Sequence, residues 1–315
     1  MSSTVTDGKV SEVTETGRNW NKATYLGRSP QDTPAGWYNY VALTLAVVIS
    51  AWPIYWMTII STWDDGKISR KGAPQVIPGG EFVHNFRVIM GMDEAPRGMS
   101  FDNVDFGRSL LNTFVVVAIV TAGTLFFCSL AGFAFAKLHF KGRDPLLVFV
   151  VLTLTIPAQL GIVGAYLIHD AIGTLDTLFA VTVPALVSAF GVFYMRQYIE
   201  DSIPDELIES ARVDGASTFR VYWNIVVPII RPAMGVLGLI TVIGTWNEYI
   251  WALIAVGGSP AQTIGPALHN LRSGQTVVYS IIFTGSFLAT IPLILLLVVA
   301  GKQIVRGIME GAVKA

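Results

Sequence analysis

LLNTFVVVAIVTAGTLFFCSLAGFAFA, residues 110–136, contains no Asp, Glu, Lys or Arg. A helix rises about 1.5 Å per residue, so about 20 apolar residues cross the hydrocarbon core of a bilayer. This stretch therefore reads as a membrane-spanning helix. In lipid the backbone must satisfy its own hydrogen bonds, and an apolar run of this length does so as a helix. A transmembrane barrel would instead show alternating segments of about 10 residues, and none is evident.

Five further stretches read the same way: Trp37–Ile60, Pro145–Ile168, Leu178–Met195, Pro232–Val256 and Val277–Gly301. The fourth span of the six, Leu178–Met195, is the shortest and is expected to extend toward Tyr198. Glu248 is the single ionisable carboxylate or cation in all six. Composition agrees, with 52% hydrophobic residues, 14% charged residues and a mean hydropathy of +0.57. Soluble domains carry roughly 25% charged residues. The expected fold is all-α: a polytopic membrane protein with six transmembrane helices in one domain, 37–315, behind a flexible polar tail, 1–36. That tail holds Lys9, Arg18, Lys22 and Arg28 and no early apolar core, so it is not a cleavable signal peptide.

The net charge of −1 supplies no basic field for nucleic acid. Cys128 is the single cysteine, which excludes a disulfide within the chain and reads as a small packed hydrophobe. Pro53, Pro157, Pro184 and Pro292 fall inside the expected spans, where membrane helices tolerate them or kink. The distribution of Lys and Arg sets orientation. With the N-terminus inside the cell, segments 1–36, 137–144, 196–231 and 302–315 hold 14 Lys and Arg, and the outer loops hold 7. Both termini are then expected in the cytoplasm. Loop 61–109, with Gly79-Gly80, Pro74, Pro78 and Pro96, reads as an outer excursion without its own core.

The functional stretch is DSIPDELIESARVDGASTFRVYWNIVVPIIRP, residues 201–232, between the fourth and fifth spans. Ser202 can cap a helix, with Pro204, Asp205 and Glu206 suited to its first turn. Leu207, Ile208 and Ala211 fall at helical spacing and are expected on one face. Gly215 sits where the helix would end, and Ser217 or Thr218 can start a second helix toward the membrane. The product is an amphipathic elbow too short to stand alone. Either the subunit's own ends or another protein's groove must cover its apolar stripe.

Glu209-Ser210-Ala211, three residues, Gly215, nine residues, Ile225, one residue, Val227-Pro228 resembles the EAA loop of bacterial ABC importer permeases. The departures are Ser210 for Ala and Val227 for Leu. The resemblance extends over roughly 37–315. It is nearest to the second permease of maltose-type heterodimers, on Leu111-Asn112-Thr113, AGFAFAKLHFKGRD at 131–144, Thr245-Trp246-Asn247-Glu248-Tyr249 and the terminal GAVKA. It implies a type I importer permease fold, a bacterial cytoplasmic-membrane location, and import of a di- or oligosaccharide or related compound. It implies three kinds of partner: a dimer of ATP-binding subunits, a sister permease and an extracytoplasmic substrate-binding protein. In that family the elbow docks in a cleft on the ATPase. Carried over, Leu207, Ile208, Glu209, Ser210, Ala211, Asp214 and Gly215 form the coupling surface. Glu209 would meet a basic group, Ala211 would permit close approach, and Gly215 would permit the turn. For Asp214 a local turn hydrogen bond is an equal reading. The resemblance also places the GAVKA tail against the ATPase dimer. No cofactor is expected on this chain; ATP and Mg belong to the partner ATPase, because no G-x-x-x-x-G-K-[ST] loop occurs here.

Trp246, Asn247, Glu248 and Tyr249 offer stacking and hydrogen bonds suited to a sugar or polyol, and Gln159 beside Pro157 is a further candidate for the substrate path. The competing role for Glu248 is to fix the packing of the fifth span, and for Gln159 to join helices. His84, His139, His169 and His269 lack metal-ligand spacing. No G-x-S-x-G nucleophile motif occurs, so catalysis on this chain has little support. Loop 257–266, GGSPAQTIGP, reads as flexible, and in the resembling family it faces the binding protein. An ion-coupled secondary transporter is the alternative. It would need ionisable pairs within spans, and Glu248 has no evident partner. The sequence leaves the solute open among maltose, trehalose, lactose, other oligosaccharides and glycerol-3-phosphate.

Overall fold

The computed structural model describes residues 36–71, 76–99, 101, 104–272 and 276–313, with side chains of 69–71 and 300–313 left aside. The tail 1–36 lies almost wholly outside the described residues, as do the last two residues of GAVKA. The chain divides into two units, Met1–Pro53 and Ile54–Ala315. The described part of the first is the beginning of α1 (Trp37–Ile60). The packing and the sites described below concern the second.

The described elements are helical, as expected. After α1 come α2 (Asp65–Lys71), α3 (Phe82–Ile89), α4 (Phe106–Lys137), α5 (Arg143–Thr153), α6 (Ile162–Ala171), α7 (Leu178–Thr182) and α8 (Ala189–Ser202). Then follow α9 (Asp205–Val213), α10 (Thr218–Val221), α11 (Val227–Trp246), α12 (Ile250–Val256), α13 (Ile264–Asn270) and α14 (Tyr279–Val313). Among the described residues, five stretches are long and apolar enough to cross a membrane: Trp37–Ile60, Phe106–Lys137, Leu178–Ser202, Thr218–Trp246 and Tyr279–Val299.

The expected third span is the exception to a straight reading. It is a pair, Arg143–Thr153 and Ala158–Ala171, bent by 97°. Pro157 explains the break. It supplies no N–H, and it disfavours helical backbone at the residue before it. The fourth span reaches Ser202, beyond Tyr198, and is interrupted by a 3₁₀ turn at Val183–Ala185 that carries Pro184. Pro53 and Pro292 lie inside continuous helices. The expected fifth span, Pro232–Val256, is shifted. Its helix begins at Thr218 and ends at Trp246, and α12 is a separate piece.

Side-chain caps fix several helix starts. Asp105 accepts the Arg108 N–H at 2.9 Å, and Ser188 accepts the Gly191 N–H at 2.9 Å. One core joins Cys128, Phe133, Met195, Ile199, Ile208, Tyr222, Val226 and Ile230, and so ties α4, α8, α9 and α11 together. Cys128 is fully buried in it, as its apolar setting predicts. Gly132 marks a close approach of α4 to α8. A Cβ there would lie 2.8 Å from the Arg196 N and 2.7 Å from the Met195 Cβ. A second core joins Val88, Ile89 and Met99 to Phe106, Ile264, Leu271, Val278 and Ile281. Loop 61–109 packs into this shared core through Val88, Ile89 and Met99. Its α3 buries an apolar face against α14, a partner remote in sequence.

Large apolar side chains such as Leu152, Val163, Ile168 and Leu295 point outward, at 57 to 70% exposure. In water such surface would be unfavourable at roughly 25 cal/mol per Å², whereas lipid is an equally apolar neighbour.

Candidate functional site

The elbow forms as its residues dictate, with one correction at its start. Ser202 is the last residue of α8, and Pro204 occupies the cap position of α9 with extended backbone (φ −62°, ψ 145°). Asp205 and Glu206 fill the first turn, where the exposed N–H groups favour carboxylates. At the other end Gly215 takes φ +79°. The Ala216 N–H donates to the Ala211 carbonyl at 3.0 Å, and the Gly215 N–H to the Arg212 carbonyl at 3.0 Å. That pair of bonds is a Schellman closure, which needs a left-handed residue where Gly215 stands. Asp214 is the residue just before it, exposed, and its N–H donates to the Ser210 carbonyl at 3.1 Å. Ser217 then caps the next helix, accepting the Arg220 N–H at 3.3 Å.

The expected single stripe divides. Ile208 is buried at 3% and Ala211 is half-buried, both against their own subunit's core, while Leu207 is 39% exposed. A helix turns 100° per residue, so Leu207 lies at the margin of the stripe. The small size of Ala211 thus serves packing within the chain. Glu209, Ser210, Arg212, Val213 and Asp214 face outward, with Val213 at 87%. Phe219 and Trp223 stack at 6.3 Å just beyond the elbow, both more than half exposed. Before α11 the helix widens into a π turn, Tyr222–Val226, which includes Trp223. The buried Tyr222 hydroxyl meets Ser129 Oγ at 2.8 Å there.

Sequence reasoning missed Lys137. It ends α4, its side chain is 4% exposed, and Nζ donates to Asp205 Oδ1 at 2.8 Å. The Lys137 ammonium, first by hydrogen bond and then by charge, holds the Asp205 carboxyl below the usual carboxylate range. The available signal was a single lysine closing an apolar run.

The second group of candidates lies where the fifth span breaks. Glu248 is exposed just before the cap residue of α12 and accepts the Trp251 N–H of the first turn at 3.0 Å. It therefore sits between helices, not inside a span. Asn247 Nδ2 donates to the Ile243 carbonyl at 2.8 Å. Trp246 is buried, and its Nε1 donates to the Ala289 carbonyl at 3.2 Å. Tyr249 reaches α13, with its hydroxyl 2.7 Å from His269 Nδ1. Gln159 is exposed in the 3₁₀ turn at the 97° bend. Trp246 and Pro292 line an apolar cavity of about 480 Å³ with Phe114, Thr121, Leu125 and Val242.

Loop 257–266 is held, not flexible. Ser259, Gln262 and Thr263 are buried. Asn112 Nδ2 donates to the carbonyls of Pro260 at 3.1 Å and Gln262 at 3.0 Å. The Ile264 N–H donates to Thr113 Oγ1 at 2.8 Å. Asn112 and Thr113, noticed in the sequence only as part of a resembling segment, are thus the clamp for this loop.

Residues 128–309 match the family of binding-protein-dependent transport system inner membrane components. The arabinooligosaccharides transport system permease protein AraQ of Bacillus subtilis (strain 168) is 30% identical, over 72% of this chain and 84% of that protein. The lactose transport system permease protein LacG of Rhizobium radiobacter is 30% identical, over 87% and 95%. The sn-glycerol-3-phosphate transport system permease protein UgpE of Brucella abortus (strain 2308) is 29% identical, over 86% and 95%. A crystal structure of a bacterial ABC transporter involved in the import of the acidic polysaccharide alginate has the same fold. Its TM-score is 0.69, over 86% of this chain and 99% of that one, at 21% identity. The chain belongs to the binding-protein-dependent transport system inner membrane component family, and is a multi-pass permease of an ABC transporter.

Proposed function

We propose that this chain is one of two permease subunits of an ATP-driven importer for a carbohydrate or a polyol phosphate, and that Asp205–Ala216 is its coupling elbow. The carrying observation is the elbow itself. It is a short helix anchored on its own subunit by Ile208 and closed by a left-handed Gly215, and it presents Glu209, Ser210, Val213 and Asp214 outward. A surface with an exposed valine beside two carboxylates suits a groove with an apolar floor and a basic rim on a partner. The named solutes of the relatives, arabinooligosaccharides, lactose and sn-glycerol-3-phosphate, share a polyhydroxylated skeleton. Exposed Asn247, Glu248 and Tyr249, at a helix break like those that form transporter sites, are the part of this subunit suited to hydroxyl groups. In this reading the resembling motif is an EAA loop of a second permease subunit, both termini are cytoplasmic, and the ATPase binds ATP and Mg.

The partners are a dimer of ATPase subunits at the elbow, a sister permease, and a binding protein on the outer face. Solute delivery outside and nucleotide-driven closure inside would reverse the direction of the shared cavity. The test is co-purification of the ATPase with a tagged chain from membranes expressing the neighbouring genes. Glu209→Lys and Gly215→Pro are expected to abolish retention of the ATPase and uptake. If both variants keep the ATPase and transport normally, the elbow has another role.

A further inference from the structure

The elbow needs a fixed angle to the membrane helices if motion at its outer face is to reach them, and the last turns of α4 supply the frame. Gly132 brings α4 against the backbone of α8, the helix entering the elbow. Ser129 and Phe133 hold Tyr222, in the helix leaving it, by a 2.8 Å hydrogen bond and a 5.8 Å ring contact. Between these two, Lys137 bonds Asp205 in the first turn of α9. The asymmetry of this pair is informative. The lysine side chain is 4% exposed and the aspartate 73% exposed. A cation taken out of water at the end of a membrane span is unfavourable unless something specific uses it.

We infer that Lys137 is a positioning residue for coupling: its bond to Asp205 sets the angle of α9 to α4, so that force on the elbow turns α4 instead of flexing the joints at Pro204 and Gly215. The inference rests on the coupling reading above. Apolar contacts such as that of Ile208 tolerate sliding, whereas a short charge-assisted bond fixes one geometry. The pair also predicts an inverted sensitivity. Loss of the buried lysine leaves a solvated carboxylate, while loss of the exposed aspartate strands a buried cation.

The experiment uses the complex purified through a tag on this chain and reconstituted in nanodiscs, with Cys128→Ala and nitroxide labels at Glu206→Cys and Lys141→Cys. Both label sites are exposed. Pulsed EPR is expected to give one narrow distance in the parent and in Lys137→Arg. Lys137→Met is expected to lose that single distance, and Lys137→Glu with Asp205→Lys to regain it. ATP hydrolysis is expected to persist in Lys137→Met while its stimulation by the binding protein is lost. A merely stabilising role would lower the thermal midpoint without moving the distance. If Lys137→Met fails to accumulate, Asp205→Asn gives the same readout, because it removes the same bond from its solvent-exposed side. A distance as narrow in Lys137→Met or Asp205→Asn as in the parent overturns the inference, as does a charge swap no narrower than the single variants. Retention of the ATPase by Glu209→Lys and Gly215→Pro would instead overturn the coupling reading and leave the distance result standing.

Discussion

Gly132→Ala tests the packing that places the elbow. The added Cβ would meet Met195 Cβ at 2.7 Å, Arg196 N at 2.8 Å and Met195 C at 2.9 Å. Two of those three atoms are backbone, so relief requires α8 to move as a body. Overpacking of this kind costs about 1–3 kcal/mol. Replacing glycine by alanine in a helix also returns about 1 kcal/mol of backbone entropy. A second site removes that term. Gly244, in α11, has nothing within 4 Å of its added Cβ. The difference between Gly132→Ala and Gly244→Ala should therefore be the packing cost alone, about 1–3 kcal/mol. Gly123→Ala should fall between them, because its added Cβ meets only the Leu186 side chain, nearest at Cδ2, 2.5 Å away, which can turn aside. The assay is reversible unfolding in mixed micelles with increasing SDS, followed by tryptophan fluorescence. The three variants should rank Gly132, Gly123, Gly244 from least to most stable. Equal midpoints for Gly132→Ala and Gly244→Ala would refute the reasoning, and with it the close α4–α8 contact.

Three further outcomes are expected. Gly215→Ala places a Cβ at φ +79° with open space around it, so the cost of about 1–2 kcal/mol is conformational, and Gly215→Asn should recover part of it in the same assay. Asp205 has a native pKa below its ordinary 3.8, so its stabilisation is fully present above that value and is lost as pH falls through the lower native one. The stability gap between the parent chain and Asp205→Asn should thus be the same at pH 7 and pH 5; a gap that closes between them would contradict the Lys137 pairing. Asn112→Ala strands the carbonyls of Pro260 and Gln262, at about 1–3 kcal/mol for each buried group, and should speed hydrogen exchange across 257–264 while leaving α9 unchanged.

Composition and period determine much of this protein's architecture. An uncharged run such as 110–136 has few options in lipid, because only a helix satisfies its backbone locally. Gly215 was equally legible, since a left-handed helix end favours the residue without a Cβ. The family followed from spacing within a short segment. What failed to show were contacts between residues distant in the chain. Asn112 and Gln262 are 150 positions apart, so a loop rich in Gly and Pro looked mobile until the clamp was seen. The α3 helix looked coreless because its partner, α14, comes nearly 200 residues later. Glu248 looked like a charge inside a span because apolar sequence continues on both sides of a helix break. Local sequence determined the helices, their ends and the elbow's turn, because those depend on bonds within four or five residues. Only the tertiary structure decided which polar groups meet, Lys137 with Asp205 above all, because burial and pairing depend on which helices fold against one another.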